Sequence, residues 1–132
     1  MYRTAIALLL ALGACGCGEA PSQVKGQLLE NGQPLVIPVS SIPQSVVLVP
    51  LNPDGTETGR MYSAIIAPDG SFELVAAGGA IPPGNYKISL AMAVTGKAGE
   101  KFKRLSVAES PLRKELKPGA NDFTIDIAKP EG

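Results

Sequence analysis

Histidine and tryptophan are absent from the 132 residues, and cysteine (2), tyrosine (3) and phenylalanine (3) are scarce. Without histidine there is no Ser-His-Asp or Cys-His nucleophilic centre, no His-ligated zinc and no proximal-His haem. Neither sign of charge predominates: twelve basic and twelve acidic side chains cancel, so no global imbalance recruits nucleic acid. The apolar run Ala5–Leu12 falls well short of the ~20 residues that a membrane-spanning helix needs. What is plentiful is glycine (15) and proline (12). Together they favour frequent turns over long helices.

The N-terminal stretch reads as an address. Arg3 precedes the apolar run, as in a secretory signal. The run ends in Leu12-Gly13-Ala14-Cys15, which resembles the bacterial lipobox: an aliphatic residue, two small residues, then cysteine. Small residues let a peptidase seat the extended backbone, and the cysteine thiolate is the nucleophile that takes a diacylglycerol as a thioether. The expectation is a lipoprotein signal peptide over 1–14, cleavage before Cys15, and acylation of Cys15 on sulfur and amine, with no other cofactor. The alternative is an ordinary signal peptide with incidental cysteines. Cleavage before Cys17 would put Ala14 in the aliphatic position. Gly16 after the acceptor, by similarity to the sorting rules of two-membrane bacteria, implies the outer membrane. Cys17 is left over, because a Cys15–Cys17 disulfide would need an unusually tight loop and would consume the lipid acceptor. Two cysteines without histidine are also too few for a structural metal. A free thiol, a second acylation and an intermolecular disulfide remain the options for Cys17.

Residues 15–23 read as the lipidated cysteine and a flexible tether, 24–128 as the folded domain and 129–132 as a tail. Turn signals recur at Glu30-Asn31-Gly32, Asn52-Pro53-Asp54-Gly55, Pro68-Asp69-Gly70, Pro82-Pro83-Gly84-Asn85 and Lys117-Pro118-Gly119. Between them, Val24–Leu28, Ser71–Val75, Tyr86–Val94 and Phe123–Ile127 alternate with period two, the mark of half-buried strands. Val46–Val49 is a continuous apolar run suited to a central strand. Leu112–Leu116 and Asn121–Ala128 are expected to form a C-terminal hairpin, and a short helical turn is expected over Leu105–Glu109. About seven strands in one domain predict an all-β, antiparallel two-layer β-sandwich of prealbumin or immunoglobulin type. The expected core is Val24, Leu28, Val47, Val49, Ile65, Phe72, Leu74, Tyr86, Ile88, Leu90, Phe123, Ile125 and Ile127.

Three stretches carry a resemblance when read in order. Val24-Lys25-Gly26 leads to Gly32-Gln33-Pro34-Leu35, followed by Asp69-Gly70-Ser71-Phe72-Glu73-Leu74 and then Pro82-Pro83-Gly84-Asn85-Tyr86-Lys87-Ile88. Together they resemble the carboxypeptidase regulatory-like (transthyretin/prealbumin-like) β-sandwich, in the version seen in short planctomycete-type bacterial lipoproteins. The resemblance spans roughly 23–128. It departs from many relatives at Ile66-Ala67-Pro68-Asp69, where they carry two threonines before the aspartate. It implies a fold and says little of activity. The hydrolases of the transthyretin-like fold depend on histidines, which this chain lacks, so the resemblance carries no enzyme expectation.

Two further patterns invite chemistry. Asn52, Asp54, Thr56 and Glu57 put oxygens in one loop, yet calcium takes about six to eight oxygens and Pro53 breaks the EF-hand spacing, so a plain turn is the expectation and no metal site is assigned. From Lys97 to Lys117, seven basic residues (Lys97, Lys101, Lys103, Arg104, Arg113, Lys114, Lys117) face three acidic ones, a local net of +4. This stretch is a candidate contact patch for anionic headgroups or surface polysaccharide. The competing reading is a solvated surface whose charges discourage edge-to-edge pairing. The sequence therefore points to a non-enzymatic, lipid-anchored envelope protein whose sandwich is an interaction or structural module. Its partners would be the membrane, through the anchor, and an envelope protein or glycan, with no nucleic acid. The alternative is a surface lipoprotein that binds a glycan or small solute.

Overall fold

Alternation along the strands sets two layers. In the computed structural model, which describes residues 22–38, 41–74 and 81–129, β1 (Ser22–Glu30) is the axis of the first sheet. On one side it pairs in parallel with β8 (Gly119–Asp126), from Ser22↔Gly119 to Leu29↔Asp126. On the other it pairs antiparallel with β2 (Gln33–Pro34) and β5 (Ser71–Leu74). The second sheet is antiparallel throughout, in the order β4 (Tyr62–Ile65), β3 (Ser45–Pro50), β6 (Gly84–Ala91), β7 (Arg113–Leu116). The all-β sandwich is as expected.

Apolar side chains from both sheets close the core between them. Val24, Leu28, Phe72, Leu74, Ile125 and Ile127 come from the first sheet or its continuation, and Val46, Leu48, Ala64, Tyr86, Ile88, Leu90 and Leu116 from the second. Within the first sheet, Gly26 is what makes room beside its two register partners, Phe72 on β5 and Phe123 on β8. A Cβ there would lie 2.2 Å from the Phe72 ring and 2.6 Å from the Phe123 carbonyl oxygen. Tyr86 is fully buried and its hydroxyl donates to the Pro82 carbonyl at 2.5 Å. Burial, with the Tyr62 hydroxyl nearby as a lesser cause, pushes the Tyr86 phenol up to about 12.

The Pro-Asp-Gly-Ser/Thr sequence occurs twice and folds the same way twice. Asp54 accepts from the N–H of Thr56 at 3.0 Å and its hydroxyl at 2.6 Å. Asp69 accepts from the N–H and hydroxyl of Ser71 at the same two distances. In each, the following glycine takes a positive φ, 86° at Gly55 and 82° at Gly70. Only Gly70 is crowded: a Cβ would lie 2.5 Å from the Leu35 carbonyl oxygen, and its own carbonyl accepts from the Leu28 N–H at 2.9 Å. The second turn is therefore docked on β1 at a corner between the sheets, where Ile66 bridges Phe72.

Five expectations need correction or refinement. β7 and β8 do not form a hairpin: Gly119, at φ 86°, turns the chain across to the other sheet. Asn121 holds this crossing by bonding the Lys117 N–H and C=O and the Gln23 carbonyl. Ile65 is 67% exposed, and its neighbours Ala64 and Ile66 are buried in its place. Val47 and Val49 are buried but belong to the face of β3 opposite the core residues Val46 and Leu48. The sequence did not suggest helix α1 (Lys97–Lys103), which is pinned by buried Phe102, whereas the short turn expected over Leu105–Glu109 is present, the Ser110 N–H donating to the Ser106 carbonyl at 2.9 Å. Phe123 is half-buried against the core.

The sandwich has two ends. Ser22 enters at one, donating its N–H to the Ile81 carbonyl at 3.0 Å and its hydroxyl to the Lys117 carbonyl at 2.8 Å. The loops after β3 and before β6 share this entry end, because Pro50 pairs with Tyr86 and Gly84 with Leu116. At the far end lie Glu30, Asn31, Gly32, Gln44, Ile66, Pro68 and α1. There the Asp126 carboxylate accepts from the N–H groups of Gly32, Ala128 and Asn31. Desolvation pulls this carboxyl up, but the three donors outweigh it and hold it below the usual carboxylate range.

Candidate functional site

The lipobox residues Leu12, Gly13 and Ala14, the acceptor Cys15, and Cys17 lie outside the described residues. The basic stretch is described in full, and the fold disperses it. Lys97, Lys101 and Lys103 are on α1 with Arg104 at its end, Arg113 and Lys114 alternate across the edge strand β7, and Lys117 is at the opposite, entry end. Lys101 is committed to Glu30 at 3.1 Å and sits over the Phe102 ring at 5.3 Å. Arg113 donates to the Ser110 and Leu112 carbonyls. The structure thus gathers Lys97, Lys101, Lys103 and Arg104 and separates them from Lys117.

In the 52–57 loop, Asp54, Thr56 and Glu57 each use a side-chain oxygen within the protein. Asp54 is taken up by Thr56, whose hydroxyl also accepts from the Asn52 amide at 3.0 Å. Those bonds, the side-chain one foremost, hold the Asp54 carboxyl below its usual range. Glu57 pairs with buried Lys87 at 2.6 Å. Among the described residues, no three His, Cys, Asp or Glu side chains are placed to hold a metal ion.

The sequence reading overlooked a cleft at the far end of the sandwich. After β2 the chain crosses the mouth between the sheets, with Leu35 and Ile37 buried in the core. The Leu35 N–H donates to Leu28 and the Ile37 N–H to Pro68, each at 2.9 Å. Where this crossing meets β3 and β4 it leaves a cleft of about 240 Å³. Among the described residues its walls are Ile37, Pro38, Ile42, Pro43, Ile65, Ile66 and Pro68, with Gln44 the one polar residue. Gln44 is only 4% exposed, and its Oε1 is buried without a hydrogen-bond partner. The recurrent Ile-Pro pairs at 37–38 and 42–43 were the available signal. Nothing local distinguishes Gln44 from a surface glutamine.

A larger cleft of about 370 Å³ lies beside α1, between Leu90, Met92, Phe102, Glu100 and Lys103. At the entry end another, of about 230 Å³, is bounded by Arg60, Tyr62, Pro82 and Tyr86. Among the described residues, neither contains a buried polar atom left without a partner.

No family model matches the chain. No curated protein matches it either. Among solved structures, the fold is similar to the crystal structure of a DUF3823 family protein from Parabacteroides merdae, with a TM-score of 0.53 and 14% sequence identity. The match covers 81% of this chain and 45% of that one, so the chain spans less than half of the protein it resembles. At this identity the likeness concerns the fold alone, and what the chain shares with that protein is a β-sandwich.

Proposed function

We propose that this chain is a lipid-anchored, non-enzymatic protein of the cell envelope, with its β-sandwich serving as an interaction or structural module. The observation that carries this reading is Leu12-Gly13-Ala14-Cys15 at the end of an apolar run led by Arg3. Acyl chains on Cys15 would each bury many methylenes at about 0.8 kcal/mol apiece, enough for stable anchoring when more than one chain is attached. Gly16 at the next position favours the outer membrane. The non-enzymatic part is supported by the use made of the carboxylates. Asp54, Asp69 and Asp126 are spent on turns and Glu57 on Lys87.

Within the sandwich class, we assign the domain to the carboxypeptidase regulatory-like group. The roles of Gly26 and Gly70 support this, since both fall in the resembling stretches and both sit where a side chain has no room. Capture of a glycan or small solute has less support. Phe72, Tyr86 and Phe123 pack inward instead of offering stacking platforms.

The test is the mass and location of the mature protein in a bacterial host. Wild type should fractionate with membranes and carry the diacylglycerol mass on Cys15. Globomycin should block signal cleavage, and Cys15→Ala should remain unlipidated. Membrane association and processing unchanged in Cys15→Ala would overturn the anchor.

A further inference from the structure

We propose that the Gln44 cleft docks an aliphatic peptide segment of a partner protein, which seats one or two branched side chains among the isoleucines and donates a backbone N–H to the Gln44 carboxamide. This deepens the interaction-module reading and rests on it.

Size decides against a free small ligand. A cleft of about 240 Å³ is too small to enclose most of a solute, as ordinary ligand pockets of ~300–1,000 Å³ do. It accommodates an anchoring side chain or two, with the rest of the partner outside. The rim suits such a contact: Ile42 and Ile65 line the cleft and stand 60% and 67% exposed. Apolar surface left open beside a concave site is characteristic of protein contacts.

Chemistry narrows the partner further. Among the described residues no titratable side chain lines the cleft, so a charged group entering it would lose hydration with no counter-charge from them. Apart from the Gln44 amide NH2, the described residues of the wall are also poor in donors. Pro38, Pro43 and Pro68 have no N–H, the Ile37 N–H is spent on Pro68, and the Ile66 N–H is spent on the Gln44 backbone carbonyl at 2.8 Å. Gln44 Oε1 is an acceptor without a donor. Oε1 is itself closed to solvent, so accepting a partner's N–H takes a turn of the carboxamide about its last, soft torsion, which exchanges the places of Oε1 and the amide NH2. An extended peptide supplies what is missing, an aliphatic side chain next to a backbone N–H. The site lies at the end of the sandwich opposite Ser22, so an anchor before Ser22 leaves it facing away.

The experiment uses the full chain in detergent micelles with isoleucine methyl groups labelled for NMR. The probes are acetylated, amidated Ala-Ile-Leu-Ala, the same peptide N-methylated at Leu and Ile, and Ala-Asp-Asp-Ala. The first should move the methyl signals of Ile37, Ile42, Ile65 and Ile66 and leave Ile88 and Ile125 in place. N-methylation should weaken binding at least tenfold, and Ile65→Glu should do the same. Gln44→Leu should bind the plain and N-methylated peptides alike. Equal binding of the two peptides by wild type, equal response to the aspartate peptide, or no shift at millimolar peptide would each overturn the proposal. So would shifts that follow protein concentration alone, which would assign the cleft to a second copy of this chain. Because the anchor is judged by the mass on Cys15, either reading can fail while the other stands.

Discussion

Gly26 is defined by the side chain it must not have. Its conformation is an ordinary strand one, so the requirement is purely steric: the Phe72 ring and the Phe123 carbonyl occupy the place of a Cβ. Gly55 is the opposite case, since its φ of 86° calls for glycine while nothing lies within 4 Å of a Cβ there. Gly26→Ala should cost about 2–3 kcal/mol, the upper part of the range for overpacking a core. Gly55→Ala should cost about 1 kcal/mol, the lower figure for left-handed strain. Urea unfolding of both variants checks the order. In a double-mutant cycle, Phe72→Leu should recover part of the Gly26→Ala loss. The Phe123 carbonyl, being backbone, cannot withdraw, so recovery should be incomplete.

The elements are held at their ends by groups that titrate, which makes stability depend on pH at both extremes. At the entry end the Tyr86 phenol is raised from about 10 to about 12 in the fold. The unfolded chain therefore loses this proton first as pH rises, so the associated stability is complete below pH 10 and declines up to pH 12. At the far end the Asp126 carboxyl is lowered by its backbone donors. Its contribution is present above about pH 4, where the unfolded group ionises, and is lost as pH falls through the lower folded value. Tyr86→Phe should cost about 1 kcal/mol at pH 7, because the Pro82 carbonyl loses its donor, and should flatten the alkaline limb. Asp126→Asn should be less stable at pH 7 and should flatten the acid limb. Urea midpoints measured from pH 2.5 to 12 check both.

Such local devices were legible in the sequence, because proline, aspartate and glycine dictate their own backbone; both Pro-Asp-Gly turns form where they were expected. Partnering was less legible. Lys117-Pro118-Gly119 reads like a hairpin, yet β8 pairs with a strand nearly a hundred residues away in the chain. At Ile65-Ile66 two adjacent isoleucines left the phase of β4 open, and small Ala64 concealed the buried row.

At the scale of the whole molecule, what the sequence concealed was the placement of groups relative to the two ends. A run of seven basic residues becomes a far-end group on α1, an edge strand and an entry-end lysine, because helix, strand and loop point them differently. Gln44 became visible as a candidate site only once the crossing segment closed over it. The same polarity determines how the domain would stand on a membrane. From Cys15 to Ser22 the chain advances seven residues, a reach of about 24 Å at most. The nine residues of β1 span about 30 Å from entry to far end. An anchored molecule should therefore keep the Lys117 end nearer the lipid and hold α1 and the Gln44 cleft away from it. Fluorophores on Lys117→Cys and Lys97→Cys, each in a Cys17→Ser background of lipidated full-length protein in vesicles, measure this directly. Nitroxide-labelled lipids should quench position 117 at least twice as strongly as position 97. Equal quenching would mean that the domain lies on its side, and stronger quenching at 97 that it is inverted. Either result would leave the Gln44 cleft without the free approach that a docking site for another envelope protein requires.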